Sequence, residues 1–246
     1  MKKLPTILTA IGIAATSSQA AIISLDNSAA AALNSTTLSG FTVNGANTHR
    51  MLLVSIAGEN GAAISGITYG TSALTPVAVA NEGGTASFSQ IWILDGVAGG
   101  TDTITINGIS GSNGFQFGAI SLYSTEDLVI SDTDTNTSAS SNPPASLSMN
   151  IETDDFVFTM GQANFDSNIA TASLTNNLFI YSIDGAGFSF SADYENNPGA
   201  GDIVYDWSRN NNRYALAGVV VTTIPEPGTA LLGGLGLLAL LRRRRA

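Results

Sequence analysis

Three residues near the carboxyl end, Pro225, Glu226 and Pro227, have the types and spacing of a segment that a protease could cut. Each proline fixes its own φ and biases the residue before it toward an extended conformation. Glu226 is therefore expected in a stiff, non-helical stretch, which is the kind of backbone that a protease binds. Pro227 can also open a helix, because proline is well tolerated at the first helical position.

A short apolar segment follows this triplet, and a cluster of arginines follows the segment. Thr229–Leu241 carries no charge, and Arg242, Arg243, Arg244 and Arg245 come directly after it. As a helix the segment reaches only about 20 Å, whereas a hydrocarbon core is about 30 Å thick. The arginines favour the cytoplasmic side of a membrane, which leaves the bulk of the chain outside. We expect a temporary tether. The alternatives are an ordinary core helix, which would not end in four arginines, and a plain tail anchor, which has no need of the Pro-Glu-Pro entry.

The triplet, the apolar segment and the arginine cluster together resemble the PEP-CTERM sorting signal of Gram-negative bacteria over residues 224–246. The resemblance implies that an exosortase, a membrane-embedded cysteine protease, recognises the chain and cuts it near Pro225–Pro227. It also implies a transient stay in the inner membrane and a final place at the cell surface or in the extracellular matrix, where exopolysaccharide would be a partner.

The amino end has the pattern of a secretory signal peptide over residues 1–20. Lys2 and Lys3 precede a mostly apolar run, and Ser18 and Ala20 offer small residues at a cleavage site after Ala20. This pattern predicts export through the Sec machinery and processing by signal peptidase. A buried N-terminal helix is the alternative.

The chain between these two segments is strongly acidic. It contains three arginines (Arg50, Arg209 and Arg213), no lysine and eighteen acidic residues, which gives a formal net charge of −15. Nucleic acid is therefore excluded as a partner, because phosphate binding needs a cationic surface. The absence of cysteine excludes thiolate chemistry and disulfides, so the core alone has to carry the stability.

Residues 21–223 are expected to form one all-β domain, an antiparallel β-sandwich of jelly-roll type, with a helix in each terminal segment. Short β-branched or aromatic runs alternate with Gly, Asn, Ser and Asp, and no crossover helix appears. The order of these runs over roughly residues 38–222 is similar to a secreted bacterial β-sandwich module. The Ser/Thr/Asn/Pro-rich stretch 133–145 reads as a long surface loop, with an interdomain linker as the alternative. The candidate strands are 52–57, 67–69, 73–79, 86–94, 102–107, 115–123, 146–151, 156–162, 178–183, 188–192, 203–207 and 214–222.

Few residues of this domain could catalyse a reaction. His49 is the single histidine and precedes a candidate strand, so a surface position at a strand edge is favoured over a catalytic base. Glu152, Asp154 and Asp155 could supply the carboxylate pair of a glycoside hydrolase, but Asp155 breaks the strand alternation as a turn residue would. We expect a non-enzymatic protein.

Two acidic stretches could donate oxygen ligands to a cation. Residues 132–136 begin like a calcium loop but lack its glycine and its closing glutamate, and residues 193–197 form a second acidic run. No cofactor is expected, and a weak structural calcium site is left open.

A carbohydrate-binding module is the alternative function, because aromatic rings can stack on sugars. The candidates are Trp92, Trp207, Tyr194 and Tyr205. Trp92 alternates with apolar neighbours, which favours burial, whereas Trp207 precedes a polar stretch and is the better candidate for an exposed platform. An exposed row of aromatic side chains would favour this function.

Overall fold

The computed structural model describes residues 21–46, 48–59, 64–82, 87–109, 114–141, 144–164, 169–171, 174–182, 188–207 and 212–224. Within these ranges the chain forms antiparallel β-strands and no helix, which confirms the predicted all-β fold. Residues 1–20 and 225–246 lie outside the described part, so the two predicted terminal helices stay predictions.

The first nine strands build one β-sandwich. They are β1 (Ser24–Ala30), β2 (Thr37–Val43), β3 (His49–Glu59), β4 (Gly66–Tyr69), β5 (Ser72–Ala73), β6 (Thr75–Asn81), β7 (Ser87–Asp95), β8 (Gly100–Asn107) and β9 (Phe115–Ser124). Sheet I has the strand order β1-β9-β3-β7-β6, and sheet II has the order β2-β8-β4-β5.

The remaining eight described strands build a second sandwich. They are β10 (Asp127–Ser141), β11 (Ala145–Leu147), β12 (Phe156–Asn164), β13 (Ile169–Thr171), β14 (Asn176–Ser182), β15 (Phe188–Asn196), β16 (Ile203–Trp207) and β17 (Asn212–Ile224). Sheet III has the order β10-β17-β12-β15-β14, and sheet IV has the order β11-β16-β13.

The second sandwich repeats the topology of the first. The strand orders of sheets I and III match position by position, so β1, β9, β3, β7 and β6 correspond to β10, β17, β12, β15 and β14. In sheets II and IV, the strands β2, β8 and β4 correspond to β11, β16 and β13. The backbone repeats too: Gly96 and Asn197, which follow β7 and β15, have φ of 60° and 58°, and Gly100 and Gly201 have φ of 146° and 144°. In each half most connections cross from one sheet to the other, as in a jelly roll, and only β4–β5, β6–β7 and β14–β15 join neighbours of one sheet.

The four sheets stack in the order II, I, III, IV, with an apolar core at each of the three junctions. Side chains of a strand point alternately to the two faces of its sheet. On β3, Leu52 and Val54 therefore pack toward sheet II, whereas Leu53 packs toward sheet III. On β12, Phe158 packs toward sheet I and Val157 toward sheet IV. Sheets I and III are thus buried on both faces.

The two halves meet through sheets I and III. β1 lies against β14, β6 lies against β10, and β3 lies against β12. The correspondence between the halves exchanges the first two contacts and maps the third onto itself, but β17 also lies against β7, and the counterparts of these two strands, β9 and β15, make no comparable contact. The interface is therefore only partly symmetric. The single sandwich predicted for residues 21–223 is in the structure a pair of sandwiches that share one core.

The prediction of a surface loop was wrong for residues 133–141, and so was the linker alternative; residues 142 and 143 lie outside the described part of the chain. Strand β10 runs through Ser141 and pairs with β17 from Asp127↔Ile224 to Ser141↔Asn212. Because β10 lies at the edge of sheet III, one long side of it faces no neighbouring strand. Exposed and half-buried positions alternate along residues 131–139. An edge strand tolerates Ser, Thr and Asp at such positions, so it lacks the apolar alternation by which a strand is recognised in a sequence.

Candidate functional site at the end of β17

Strand β17 leads directly into the triplet Pro225–Pro227. The strand lies between β10 and β12 in sheet III, but its pairing with β12 ends at Val221↔Phe156. Its pairing with β10 continues to Asp127↔Ile224. The last three residues of the strand therefore pair with β10 alone, and the proline that follows cannot donate a backbone hydrogen bond to extend the ladder.

The segment before β1 lies beside this end of β17. The Asn196 side-chain amide donates to the carbonyl oxygen of Ile23 at 2.8 Å, and the Thr223 hydroxyl makes a longer contact of 3.5 Å with the carbonyl oxygen of Ala21. Ile23 is fully buried in the central core. Ile22 and Ile224, by contrast, are 72% and 52% exposed. We call this end of the molecule, defined by 21–23 and 222–224, the terminal pole.

A hydrogen bond between two side chains ties the two sandwiches together at the terminal pole. His49 begins β3, Asp127 begins β10, and His49 Nδ1 lies 2.6 Å from Asp127 Oδ1. Because Asp127 is also the strand partner of Ile224, the pair braces the last rung of the β10–β17 ladder. The expectation that His49 lies at a strand edge agrees with this position. Its partner was missed, since seventy-eight residues separate the two and no local pattern links them.

The acidic residues Glu152, Asp154 and Asp155 form the turn that precedes β12. Asp155 is buried, and its carboxylate accepts a hydrogen bond from the Glu152 backbone amide at 2.7 Å. Asp154 has a positive φ of 73°, which carboxylate-bearing residues tolerate in turns. These geometries suit a turn that shapes the entry into β12.

The carboxylates of Asp132 and Asp134 anchor the chain after β11. Their Oδ2 atoms accept hydrogen bonds from the backbone amides of Asn150 at 2.7 Å and Ser148 at 2.6 Å. They therefore replace strand pairing for a segment that was predicted as strand but leaves the ladder after Leu147. Among the described residues, no group of three or more His, Asp or Glu side chains is placed to hold a metal ion. A structural calcium site stays a prediction.

The candidate sugar-stacking residues mostly lie inside the fold. Trp92 is buried between sheets I and II, and Tyr205 is fully buried between sheets III and IV. Tyr205 donates to Thr159 Oγ1 at 2.5 Å, and burial, followed by the nearby charge of Asp193, raises the pKa of Tyr205 well above 10. Tyr194 is half-buried and stacks on Phe156. The side chain of Trp207 lies outside the described part of the chain.

An open cleft of about 800 Å³ lies on the first sandwich. Its walls carry hydroxyl, amide and carboxylate groups but no aromatic ring, and two facing glycine backbones form one side. Asp26 Oδ2 accepts hydrogen bonds from the Asn44 backbone amide and the Ser121 hydroxyl, so this carboxylate holds the wall of the cleft in place. The lining residues are Asp26, Asn27, Thr42, Val43, Asn44, Gly45, Gly99 and Gly100.

At the opposite end of the shared core, polar side chains lie between sheets I and III. Ser55, Ser87 and Gln162 each bury a side-chain oxygen that has no hydrogen-bond partner among the protein atoms. Burial also raises the pKa of Glu59 above its ordinary 4.5. In the sequence these polar residues alternate with apolar ones, which predicts a solvent-facing position for them. Their burial between two sandwiches follows only from the stacking of sheets I and III.

The residues predicted to take part in processing flank the described part of the chain in sequence. Ala20 precedes the first described residue, and the triplet follows the last one, while Arg242–Arg245 lie further along; all of them are outside the described residues. Among the residues that are described, none belongs to a helix with the length and apolarity of a membrane span.

Comparison with known proteins supports the interpretation of the tail. The family model described as the PEP-CTERM protein-sorting motif matches residues 223–245. No curated protein and no solved structure matches the chain. The chain therefore carries the sorting signal of an exported protein that is transiently anchored in the membrane. Residues 223–245 are thus a PEP-CTERM sorting motif, which implies processing by exosortase, a membrane protein.

Proposed function

We propose that this protein is a non-enzymatic component of the cell surface or extracellular matrix of a Gram-negative bacterium, delivered there by two cleavages. Signal peptidase removes residues 1–20 after Ala20 on the periplasmic side, and exosortase cuts near Pro225–Pro227. Until the second cut, Arg242–Arg245 keep the tail anchored on the cytoplasmic side.

The observation that carries this proposal is the continuity of the sorting signal with the fold. The matched motif begins at residue 223, and β17 ends at Ile224, so the two overlap. Since Ala21 lies beside Thr223, both sites of cleavage adjoin the terminal pole. The folded domain would therefore hang from the membrane by this pole and leave it as a single body.

A non-enzymatic role is supported by what the acidic side chains do. Asp155 caps the turn before β12, and Asp132 and Asp134 bind backbone amides after β11. A glycoside hydrolase needs two carboxylates facing each other across a cleft. The three carboxylates that the sequence offered for that role, at 152, 154 and 155, belong to one turn, which favours a structural role for them.

The test is fractionation of host cells with and without their exosortase, combined with the mass of the mature protein. With the enzyme, we expect a soluble or surface-associated product that lacks all four terminal arginines. Without it, the tail should stay attached and the protein should stay with the membrane. A variant with Pro225→Ala, Glu226→Ala and Pro227→Ala should behave as wild type does without the enzyme. Native protein that keeps Arg242–Arg245 in the presence of the enzyme would refute the proposal.

Binding of exopolysaccharide is a second proposed role, and the open cleft of the first sandwich favours it. Hydroxyl and amide groups on its walls, among them Thr42 and Asn44, suit hydrogen bonding to sugar hydroxyls. The described aromatic side chains form no exposed row, so affinity would rest on these hydrogen bonds and should be weak. Titration of the mature protein with polysaccharide from its host should give a saturable signal that weakens in Asn44→Ala. Unchanged binding in that variant would exclude the cleft.

A further inference from the structure

The last three residues of β17 are held less firmly than the rest of the strand. Most of β17 is a central strand with a neighbour on each side, whereas Thr222, Thr223 and Ile224 pair with β10 only. Ile224 is also half exposed. Strand ends with few neighbours open locally at a small fraction of the global free energy of unfolding.

These same residues stand directly before the segment that exosortase has to bind. Proteases take their substrates as extended chains and commonly pair with the substrate backbone along a free strand edge. Between Ile224 and Pro225 there is no spacer, so the residues on the amino side of the triplet are engaged with β10 in the folded state. A protease that reaches back along the chain therefore competes with that strand.

We propose that release of Thr222–Ile224 from β10 controls the rate at which exosortase cleaves the chain. The inference rests on the proposed function and concerns the non-covalent step that precedes peptide-bond cleavage. The folded end of β17 hides part of the recognition segment, and each transient opening of the ladder exposes it. When opening and closing are fast relative to cleavage, the cleavage rate follows the population of the open form.

Two contacts set that population. The hydrogen bond between His49 and Asp127 fixes the β10 residue that faces Ile224, and the Thr223 hydroxyl lies against the Ala21 carbonyl. The first contact spans both sandwiches, and the second reaches the segment that adjoins Ala20. Cleavage is therefore expected to be slow in a molecule whose two halves are docked and whose first residues are in place.

A disulfide that locks the last rung tests the proposal in cells that contain exosortase. Asp127 and Ile224 are direct partners with exposed side chains, so Asp127→Cys with Ile224→Cys can be bridged in the oxidising periplasm. The wild-type chain has no cysteine that could interfere. The matched control is Thr37→Cys with Thr105→Cys, direct partners on β2 and β8, two sheets away from β17.

Pulse–chase labelling of the full-length chain gives the cleavage rate, and the mass of the product gives its end. The locked variant should be cleaved at least about tenfold more slowly than wild type, since the cross-link removes the open form. In reductant it should be cleaved at least as fast as wild type, because Asp127→Cys also removes the contact with His49. The control pair should be cleaved at the wild-type rate. A short Gly-Ser spacer between Ile224 and Pro225 should speed cleavage and should make the lock ineffective.

Two results would overturn the inference: cleavage of the verified locked variant at the wild-type rate, or a spacer variant no faster than wild type. Failure of the proposed function gives a different pattern. In that case wild type, control and spacer variant would all keep their four terminal arginines whether or not exosortase is present.

Discussion

Replacing Phe158 with alanine is expected to lower the free energy of unfolding by about 3 to 5 kcal/mol. Phe158 is fully buried on β12, at the centre of sheet III, and it faces sheet I across the central core. Its truncation removes a large apolar surface and leaves a cavity between two sheets that are each fixed by a further layer behind them. The surrounding strands can therefore close the cavity only in part, so the loss of unfolding free energy should be near the upper end of the range for such substitutions.

The measurement is chemical denaturation of the mature protein followed by circular dichroism and tryptophan fluorescence. Because Phe158 lies between the sandwiches, both probes should report one transition that moves as a whole. Ile180→Ala, at a position that is 53% exposed on β14, should change the free energy of unfolding by less than about 0.5 kcal/mol. Two separate transitions, of which only one responds to Phe158→Ala, would show that the halves fold independently and do not depend on a shared core.

Gly58→Val should destabilise the protein by about 3 kcal/mol or prevent folding, because the site has no room for a side chain. Gly58 lies in β3 between β7 and β9, opposite Phe88 and Phe115. A Cβ atom would lie 2.6 Å from Phe88 Cε1 and 2.8 Å from both Phe115 Cβ and the carbonyl oxygen of Gly114. That oxygen accepts a hydrogen bond from the Glu59 amide, so it cannot move away without breaking the bond.

Gly66→Val is the matched control for this substitution. Gly66 also lies in a strand, β4, and a Cβ added there meets no atom within 4 Å. Since valine suits a strand better than glycine, this variant should keep or raise the stability by about 0.5 to 1 kcal/mol. Soluble yield and the thermal midpoint compare the two variants directly. Equal midpoints for Gly58→Val and wild type would mean that the close contacts around Gly58 relax at little cost.

The duplication of the sandwich shows why the arrangement of the core could not be read from the sequence. Equivalent positions of the two sandwiches have the same strand partners but different side chains. Trp92 on β7 pairs with Val54 of β3, and at the equivalent place Asp193 on β15 pairs with Thr159 of β12. Trp92 packs in an apolar core, whereas the buried Asp193 carboxylate accepts hydrogen bonds from Ser191 and Asn177. A repeat whose members differ this much leaves no period in the sequence.

The strands that were predicted are those that alternate apolar and polar residues or are apolar throughout, such as β7 and β12. The strands that were missed are edge strands or short ones: β1, β2, β10 and β13. At an edge, one side of the strand meets solvent, so polar residues are tolerated and the periodic signal weakens. For β10 this effect was large enough to make a fifteen-residue strand look like a loop.

The sequence alone determined the all-β class and the sorting signal, because both depend on local properties: residue alternation in strands, and the order of stiff prolines, apolar residues and arginines along one segment. Only the tertiary structure decided that two jelly rolls share a core, that His49 meets Asp127, and that the sorting signal starts within a paired strand. Those facts depend on contacts between residues far apart in the chain, and the free energy of such contacts comes from packing and pairing that no single segment carries.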